Sequence, residues 1–269
     1  MLICATCAVE YDEPAPEACP ICADERQYLP VGGQRWTTLT ELAEAGTTLT
    51  WAETEPGVHG ISTRDAVGIG QTAQLVRASQ GSLLWDPPGF LDADGVARVR
   101  AQGPVLAVAA SHPHMFGVQV DWARALDAQM LVAEADAMWL GRMDERVRFW
   151  SGTHEVVPGL TLHQVGGLFA GSAVALWARG AEGKGLLLTG DTIFPNPDRA
   201  SVGFLRSYPN KIPLSAAVVE RIAAQLGDLV FDRIIGNFGN VIDSGGQEVL
   251  RRSAERHIAW VRGDFDHLT

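Results

Sequence analysis

Short apolar segments recur along most of the chain, and turn-forming residues separate them. Their length of four to seven residues is typical of buried β-strands, whereas helices usually need ten or more residues. The predicted strands cover residues 73–78, 82–85, 105–110, 130–133, 160–165, 173–178, 186–189 and 229–235.

Helical periodicity appears elsewhere, where apolar residues recur every three or four positions. The predicted helices cover residues 118–126, 215–226 and 247–261. The sequence Thr38-Leu-Thr-Glu41 predicts a capping box that opens a further short helix, ending near residue 45. Strands that first follow one another and later alternate with helices predict a mixed α/β fold built of layers.

The composition is that of an ordinary globular protein. With 46% hydrophobic and 20% charged residues, it excludes collagen-like, coiled-coil and disordered chains. The length of 269 residues fits one large domain, or one domain with a small appendage. A net charge of −11 argues against nucleic acid as a partner, because phosphate backbones attract basic surfaces.

The chain gives no signal of a membrane segment or a signal peptide. Its longest apolar run, residues 104–110, is far shorter than the ~18 residues that a spanning helix needs. The first residues carry no basic region, and Glu10, Asp12 and Glu13 interrupt them. We therefore expect a cytoplasmic protein with reduced thiols, no membrane partner and a small-molecule substrate or ligand. The sequence carries no signal of oligomeric state.

All four cysteines lie near the start of the chain. Cys4 and Cys7 form one Cys-x-x-Cys pair, and Cys19 and Cys22 form another after eleven residues. Two such pairs can complete a closed tetrahedral site, and in a reducing compartment metal binding is favoured over disulfides. We predict a structural zinc ribbon, with a rubredoxin-like iron site or a redox dithiol pair as alternatives.

The composition changes after Leu29-Pro30 and Gly32-Gly33. This change predicts a ribbon over residues 1–30 and a main domain over residues 31–269. The segment between the two cysteine pairs is rich in proline and glutamate and cannot build a core alone. A bound metal would supply the missing folding energy of the ribbon.

A second group of candidate ligands follows predicted strands. His112 and His114 come directly after strand 105–110, and Asp191 follows strand 186–189. Two histidines and a carboxylate at strand ends can hold a divalent metal and leave positions open for water. A metal lowers the pKa of such a water molecule and makes it a hydrolytic nucleophile.

These motifs, in this order, resemble those of the metallo-β-lactamase-fold superfamily. Ser111-His-Pro-His114 looks like the start of its His-x-His-x-Asp-His loop, residues 165–172 are similar to its Gly-His-x-x-Gly-Ser segment, and residues 188–194 to its Gly-Asp-x-Leu/Phe segment. The resemblance covers the chain from residue ~36 to its end. It implies a four-layer αβ/βα sandwich with metals at the edge between two sheets, in a metallo-hydrolase-like branch with an N-terminal ribbon.

The chain departs from that pattern at several ligand positions. Phe116 and Gly117 replace the Asp and His of the second metal site, and Leu168 replaces the next histidine. The region 235–240, where the resemblance places a last histidine, contains none. The resemblance therefore implies that the second metal site is absent.

The first site keeps three of four expected ligands, His112, His114 and Asp191. We expect it to bind zinc more weakly than a complete site, to favour an iron-type set of two histidines and one carboxylate, or to stay empty. Water, Asp136 or Asp86 are the candidates for the vacant position. For Asp136 the favoured interpretation is a helix N-cap, and Asp86 is equally interpreted as a turn residue before Pro87.

Three residues are candidates for contacts with a substrate. His59 lies in a predicted turn between Pro56 and Gly60, while Arg206 and Tyr208 lie in a polar, aromatic segment after the Asp191 strand. The alternative for that segment is a plain β-turn built on proline.

The leading hypothesis is a metal-dependent hydrolase that acts on an ester, thioester, lactone or amide bond. The chain contains no visible nucleophile elbow, so covalent catalysis has little support. The alternative hypothesis is a catalytically inactive relative that acts as a binding or regulatory module. A weaker third hypothesis is redox chemistry with iron in both sites.

Overall fold

The computed structural model describes residues 1–63 and 67–269. The first strands are β1 (Leu2–Cys4), β2 (Glu10–Tyr11), β3 (Trp36–Thr37), β4 (Thr50–Glu55), β5 (Val58–Ser62), β6 (Ala73–Ala78) and β7 (Gly81–Trp85). They are followed by β8 (Val105–Ala109), β9 (Gln129–Ala133), β10 (Val147–Trp150), β11 (Thr153–Val157), β12 (Leu160–Gln164), β13 (Ala173–Trp177) and β14 (Leu186–Leu188). The last are β15 (Phe194–Pro195), β16 (Val202–Gly203), β17 (Leu205–Ser207), β18 (Ile212–Pro213), β19 (Arg233–Ile235) and β20 (Val241–Ile242).

The helices lie between these strands. They are α1 (Pro20–Ala23), α2 (Leu39–Glu44), α3 (Ala93–Arg100), α4 (Gln119–Leu126), α5 (Gly180–Gly183), α6 (Ala216–Gly227) and α7 (Gly246–Arg262). Short 3-10 helices cover Pro113–Met115, Glu134–Trp139 and Asp266–Leu268.

Each segment predicted as a strand contains one, and the four predicted helices form. The predicted strand 229–235 is shorter than expected, because the amide of Leu229 still bonds the carbonyl of Leu226 and the chain extends only from Arg233. The capping box is present: the Thr38 hydroxyl accepts from the Glu41 amide at 3.1 Å, and the Glu41 carboxylate accepts from the Thr38 amide at 3.0 Å.

The strands form two large sheets. The first has the order β10-β9-β8-β7-β6-β5-β4, in which β4 to β7 are antiparallel and β7 to β10 are parallel. The second has the order β11-β12-β13-β14-β19-β20, in which β14 and β19 pair in parallel. Successive side chains of a strand point to opposite faces, so each sheet can bury apolar residues on both faces.

Three apolar cores separate the layers. On β7, Leu83 and Trp85 point into the core between the sheets, while Leu84 points toward α4 and the N-terminal segment. On β14, Leu187 points away from the inter-sheet core and packs against α6 and α7. Helices thus cover the outer face of each sheet, which confirms the expected four-layer αβ/βα sandwich.

The cysteine segment packs onto the outer face of the first sheet. All four cysteines are buried in the same core as Val120 and Trp122 of α4. Strand β3 comes from beyond residue 30 and pairs with β1. The division into residues 1–30 and 31–269 stays a prediction. Over the described part of the chain, no helix combines the length and the apolar character that crossing a bilayer requires.

Candidate metal centres

The four cysteine sulfurs converge in the ribbon. Sγ of Cys4 lies 3.7 Å from Sγ of Cys22, and Sγ of Cys7 lies 3.7 Å from Sγ of Cys19. A tetrahedral ion with Zn–S bonds of about 2.3 Å places its sulfurs about 3.8 Å apart. All four sulfurs lie within 4.8 Å of one another and all are buried, so the arrangement fits a closed four-thiolate site.

Two side chains lie within hydrogen-bonding distance of these sulfurs. The Tyr11 hydroxyl lies 3.2 Å from Sγ of Cys19, and Nε2 of Gln34 donates to Sγ of Cys4 at 3.3 Å. The side-chain oxygen of Gln34 also accepts from the Cys19 amide at 3.0 Å. Such outer contacts orient metal ligands and stabilise thiolate charge.

The second candidate site lies at the ends of β8 and β14. His112 and His114 flank the start of a 3-10 turn that follows β8, and Asp191 follows β14. Nε2 of His112 is 3.6 Å from Oδ2 of Asp191, and one ligand atom from each of the three residues falls within 4.8 Å of the others. All three side chains are buried. The structure therefore brings together the three residues predicted as cleft ligands.

Two contacts bring the histidine turn and Asp191 together. Gly190 has φ +54°, and a Cβ atom there would overlap the Ser111 side chain, so only glycine permits this close approach. The Asp86 carboxylate accepts from the Ser111 amide at 2.5 Å and from Nδ2 of Asn237 at 2.7 Å. Asp86 has φ +57° at the bend before Pro87, and its two oxygens hold the backbone of Ser111 and the side chain of Asn237. It does not belong to the group of three ligand atoms. Burial raises the pKa of Asp86 to about 6.

Buried polar atoms without hydrogen-bond partners in the described structure show whether a metal ion fits this site. Nε2 of His112, Nε2 of His114 and Oδ1 of Asp191 are buried, and none has a hydrogen-bond partner among the residues described. A buried polar atom without a partner costs about 1–3 kcal/mol. Nδ1 of His112 lies 2.9 Å from the Ser111 hydroxyl, which leaves Nε2 for another ligand. Three buried atoms that lack partners and converge fit a bound cation.

His114 is held in the form that binds metals. Burial lowers its pKa well below the ordinary value, and the nearby His112 and Arg26 lower the pKa further. A neutral imidazole has a free lone pair for a metal ion.

The departures from the superfamily motif have structural explanations. Gly117 has φ +55°, and a Cβ atom there would overlap the Pro87 carbonyl oxygen. Its own carbonyl accepts from the Glu10 amide of the ribbon at 3.1 Å. Phe116 is buried in the core that surrounds the ribbon. Leu168, in contrast, lines a cavity beside the cleft together with His114.

Asp136 does not occupy the position that we predicted. It lies inside the 3-10 helix Glu134–Trp139, whose N-cap is Ala133, so it is not a cap. Its carboxylate accepts from the Gly171 amide at 2.7 Å and thereby holds the loop after Leu168. Burial raises the pKa of Asp136 to about 6. It does not belong to the group of three ligands.

A cavity of about 280 Å³ opens beside the cleft ligands, and Tyr208 lines it together with His114 and Asp191. The Tyr208 hydroxyl donates to the backbone carbonyl of Asp191 at 2.6 Å, and burial raises the pKa of that hydroxyl well above its ordinary value. Arg206 lies elsewhere and pairs with Glu25 at 2.6 Å.

His59 also lies outside the lining of this cavity. It belongs to strand β5, where it pairs with Leu75, and not to a turn. The turn ends before Val58, because the short connection from β4 occupies only Pro56 and Gly57. We therefore leave His59 out of the site.

The structure adds two residues that the sequence did not indicate. The guanidinium of Arg26 lies 3.8 Å above the Phe169 ring. That ring packs against His112 at 5.8 Å and His114 at 4.9 Å between ring centres. Since these contacts join residues far apart in the chain, no local pattern signals them.

Comparisons with known proteins agree with this architecture. No family model matches the sequence. The uncharacterized protein YmaE of Bacillus subtilis (strain 168) is 40% identical over 269 residues, which covers 98% of this chain and 98% of that protein.

Solved structures show the fold. A metallo-β-lactamase from Hirschia baltica is 18% identical with a TM-score of 0.54, covering 78% of this chain and 97% of that one. The metallo-β-lactamase FIM-1 from Pseudomonas aeruginosa, in a mono-zinc form, is 16% identical with a TM-score of 0.54, covering 77% of this chain and 95% of that one. At these identities the likeness carries the fold alone.

Proposed function

This chain belongs to the family of Bacillus subtilis YmaE and has the metallo-β-lactamase fold, and we propose that it is a metal-dependent hydrolase with a single cleft ion. Its substrate is a small molecule with an ester, thioester, lactone or amide bond. The observation that carries the proposal is a group of three buried ligand atoms, on His112, His114 and Asp191, that have no hydrogen-bond partner within the described residues. We also assign zinc to the cysteine ribbon, as a structural ion.

The protein's own residues organise the cleft around these ligands. A divalent cation held there would polarise a carbonyl group and lower the pKa of a water molecule. Ser111 sets the orientation of the His112 ring through Nδ1, and Asp86 fixes the Ser111 backbone. Tyr208 fixes the backbone of Asp191 from the cavity side.

Apolar side chains surround the cleft. Phe169 covers the two histidine rings, and Leu168 and Phe194 line the cavity. Excluding water from such a site strengthens the electrostatic interactions inside it. Because Leu168 offers no ligand atom, an ion held by His112, His114 and Asp191 would be left able to bind a substrate or water.

Metal analysis of the purified protein tests the proposal. We expect about two ions per chain. His112→Ala should remove one ion, and Cys19→Ser should remove the other. His267→Ala, which changes an exposed histidine near the C-terminus, is the matched control and should leave both ions in place.

Turnover is tested with a panel of thioesters, lactones, amides and 4-nitrophenyl esters. Activity should depend on added metal and disappear in His112→Ala while the ribbon ion remains. A wild-type protein that binds only one ion, with that ion retained in His112→Ala, would contradict the proposal. That result would favour the alternative function, a binding or regulatory module. The leucine at position 168, where the superfamily motif has a histidine, also supports this alternative.

A further inference from the structure

The segment that follows the last cysteine forms a wall of the cavity. Arg26, Gln27 and Tyr28 lie only a few positions after Cys22, and all three line the cavity that His114 also lines. The ribbon therefore contributes directly to the cleft, in addition to covering the first sheet.

Contacts with β17 and with the loop after it fix the position of this wall. The Ser207 hydroxyl donates to the Arg26 carbonyl at 3.1 Å, and Nδ2 of Asn210 donates to the Glu25 carbonyl at 2.8 Å. Arg206 adds its ion pair with Glu25. These contacts hold the backbone that carries Arg26 beside the cleft.

The Arg26 guanidinium is oriented but not saturated. Nε and Nη2 donate to Asp24, and Nη1 donates to the Leu168 carbonyl at 3.2 Å. These bonds use three of the five N–H groups of an arginine. One N–H on each terminal nitrogen has no partner within residues 1–63 and 67–269. The ring of Phe169 supports one face of the group.

The rest of the cavity wall is mostly apolar. Ile69, Leu168, Phe194 and Phe238 supply hydrocarbon or aromatic surface. Gln27 is an exception, because its side-chain oxygen is buried without a partner in the described structure. A volume of about 280 Å³ is close to the lower end of ligand pockets, which begin at roughly 300 Å³.

We propose that Arg26 binds a carboxylate or similar oxyanion of a compact, mainly apolar ligand, and so sets the specificity of the cleft. Two N–H donors on a planar, oriented guanidinium suit a two-oxygen acceptor, and charge-assisted bonds of this kind are the stronger ones. The apolar walls contact the body of the ligand. The inference that this ligand is a substrate rests on the proposed hydrolase function. The inference that Arg26 binds an oxyanion does not depend on that function.

Binding of a charged and a neutral probe of equal shape tests the inference. Phenylacetate carries the anionic group, and phenylacetamide replaces it with a neutral amide. Isothermal titration calorimetry on the purified full chain should show tighter binding of phenylacetate. Arg26→Gln should weaken phenylacetate binding about 10- to 100-fold, the range of a lost charge-assisted pair, and leave phenylacetamide unchanged.

Further variants separate charge from geometry and from folding. Arg26→Lys keeps the charge but not the fork, so we expect an intermediate affinity. Arg35→Gln is the matched control, because Arg35 is an exposed arginine that lines other surface pockets near the ribbon. It should leave both affinities unchanged. The metal content of each variant shows whether the ribbon and the cleft remain folded.

The outcomes distinguish this inference from the proposed hydrolase function. Equal affinity of the wild-type protein for the two probes, or of Arg26→Gln and the wild type for phenylacetate, overturns the role of Arg26 even if two ions are bound. A loss of phenylacetate affinity in Arg26→Gln, together with only one ion in the wild type, supports the role of Arg26 and contradicts the hydrolase.

Discussion

A buried carboxylate anchors the ribbon to the main body, and its replacement tests how strongly the two parts are held together. Glu10 is 2% exposed. One of its oxygens accepts from the Val120 amide at 2.5 Å, and the other accepts from Nη1 of Arg142 at 2.8 Å. Burial nevertheless raises the pKa of Glu10 to about 7 from 4.5, since its effect exceeds that of these hydrogen bonds.

This pKa determines how stability should change with pH. An acid with a higher pKa in the folded state than in the unfolded state holds its proton more tightly when folded. The stability that Glu10 contributes is therefore present at low pH and is lost as the pH rises from about 4.5 through about 7. A difference of about 2.5 pKa units corresponds to about 3 kcal/mol.

Glu10→Gln should remove this dependence. Glutamine keeps an oxygen that can accept from the Val120 amide but carries no charge at any pH. We expect the free energy of unfolding of the variant, relative to the wild type, to rise by up to about 3 kcal/mol between about pH 5 and about pH 8. Urea unfolding at both pH values, at constant zinc concentration, measures this difference.

Glu10→Ala should instead destabilise the protein. It leaves the Val120 amide and one contact of Arg142 without a partner, although Arg142 keeps Asp121 at 3.0 Å. At about pH 5, where Glu10 is mostly neutral, we expect a loss of about 1–3 kcal/mol, the cost of leaving the buried Val120 amide without a partner. Glu17→Gln, an exposed change in the same ribbon, is the control. A stability difference between Glu10→Gln and the wild type that stays constant across this pH range would refute the reasoning.

Three further substitutions give separate tests. Gly190→Ala should displace Asp191 from Ser111 and abolish the cleft ion but not the ribbon ion in metal analysis; two retained ions would argue against the close approach. Leu168→His should supply a further ligand and tighten metal binding in the cleft about 10–100-fold, as measured by competition with a chelator. Residues that only contact metal ligands already change metal affinity on this scale. Leu168→Met, the control, should leave the metal affinity unchanged. Thr38→Ala should lower the free energy of unfolding by about 1 kcal/mol in urea, because it removes the cap of α2.

The sequence predicted the central strands because their apolar runs are buried on both faces. The strands near the sheet edges were not predicted, because they lack such apolar runs. β4 reads Thr-Trp-Ala-Glu-Thr-Glu and exposes much of its surface, and β10 reads Val-Arg-Phe-Trp with only its last residue buried. Edge strands need little apolar surface, so hydrophobic patterning detects them poorly. Helix α3 had a local signal, since Asp92 caps it by accepting from the Gly95 amide at 2.6 Å.

Some residues of the candidate site could be predicted from the sequence, and others could not. His112, His114 and Asp191 could be predicted, because polar residues directly after buried strands meet at one edge of the two sheets. Arg26 could not be predicted, since its place beside Phe169 depends on how the ribbon docks onto the main body.

Two positions at which the superfamily motif has a metal ligand, Gly117 and Leu168, have different surroundings in this structure. At Gly117 the Pro87 carbonyl leaves no room for a side chain, and the backbone is already bonded to Glu10 of the ribbon. A histidine there would have to displace the backbone of Pro87 and Pro88, so the present path of that loop and a side chain at this position exclude each other. Leu168, in contrast, lines the cavity, and its carbonyl accepts a hydrogen bond from Arg26. Leu168 thus lines the same cavity as Arg26, an arginine that comes from the ribbon and forms an ion pair with Asp24.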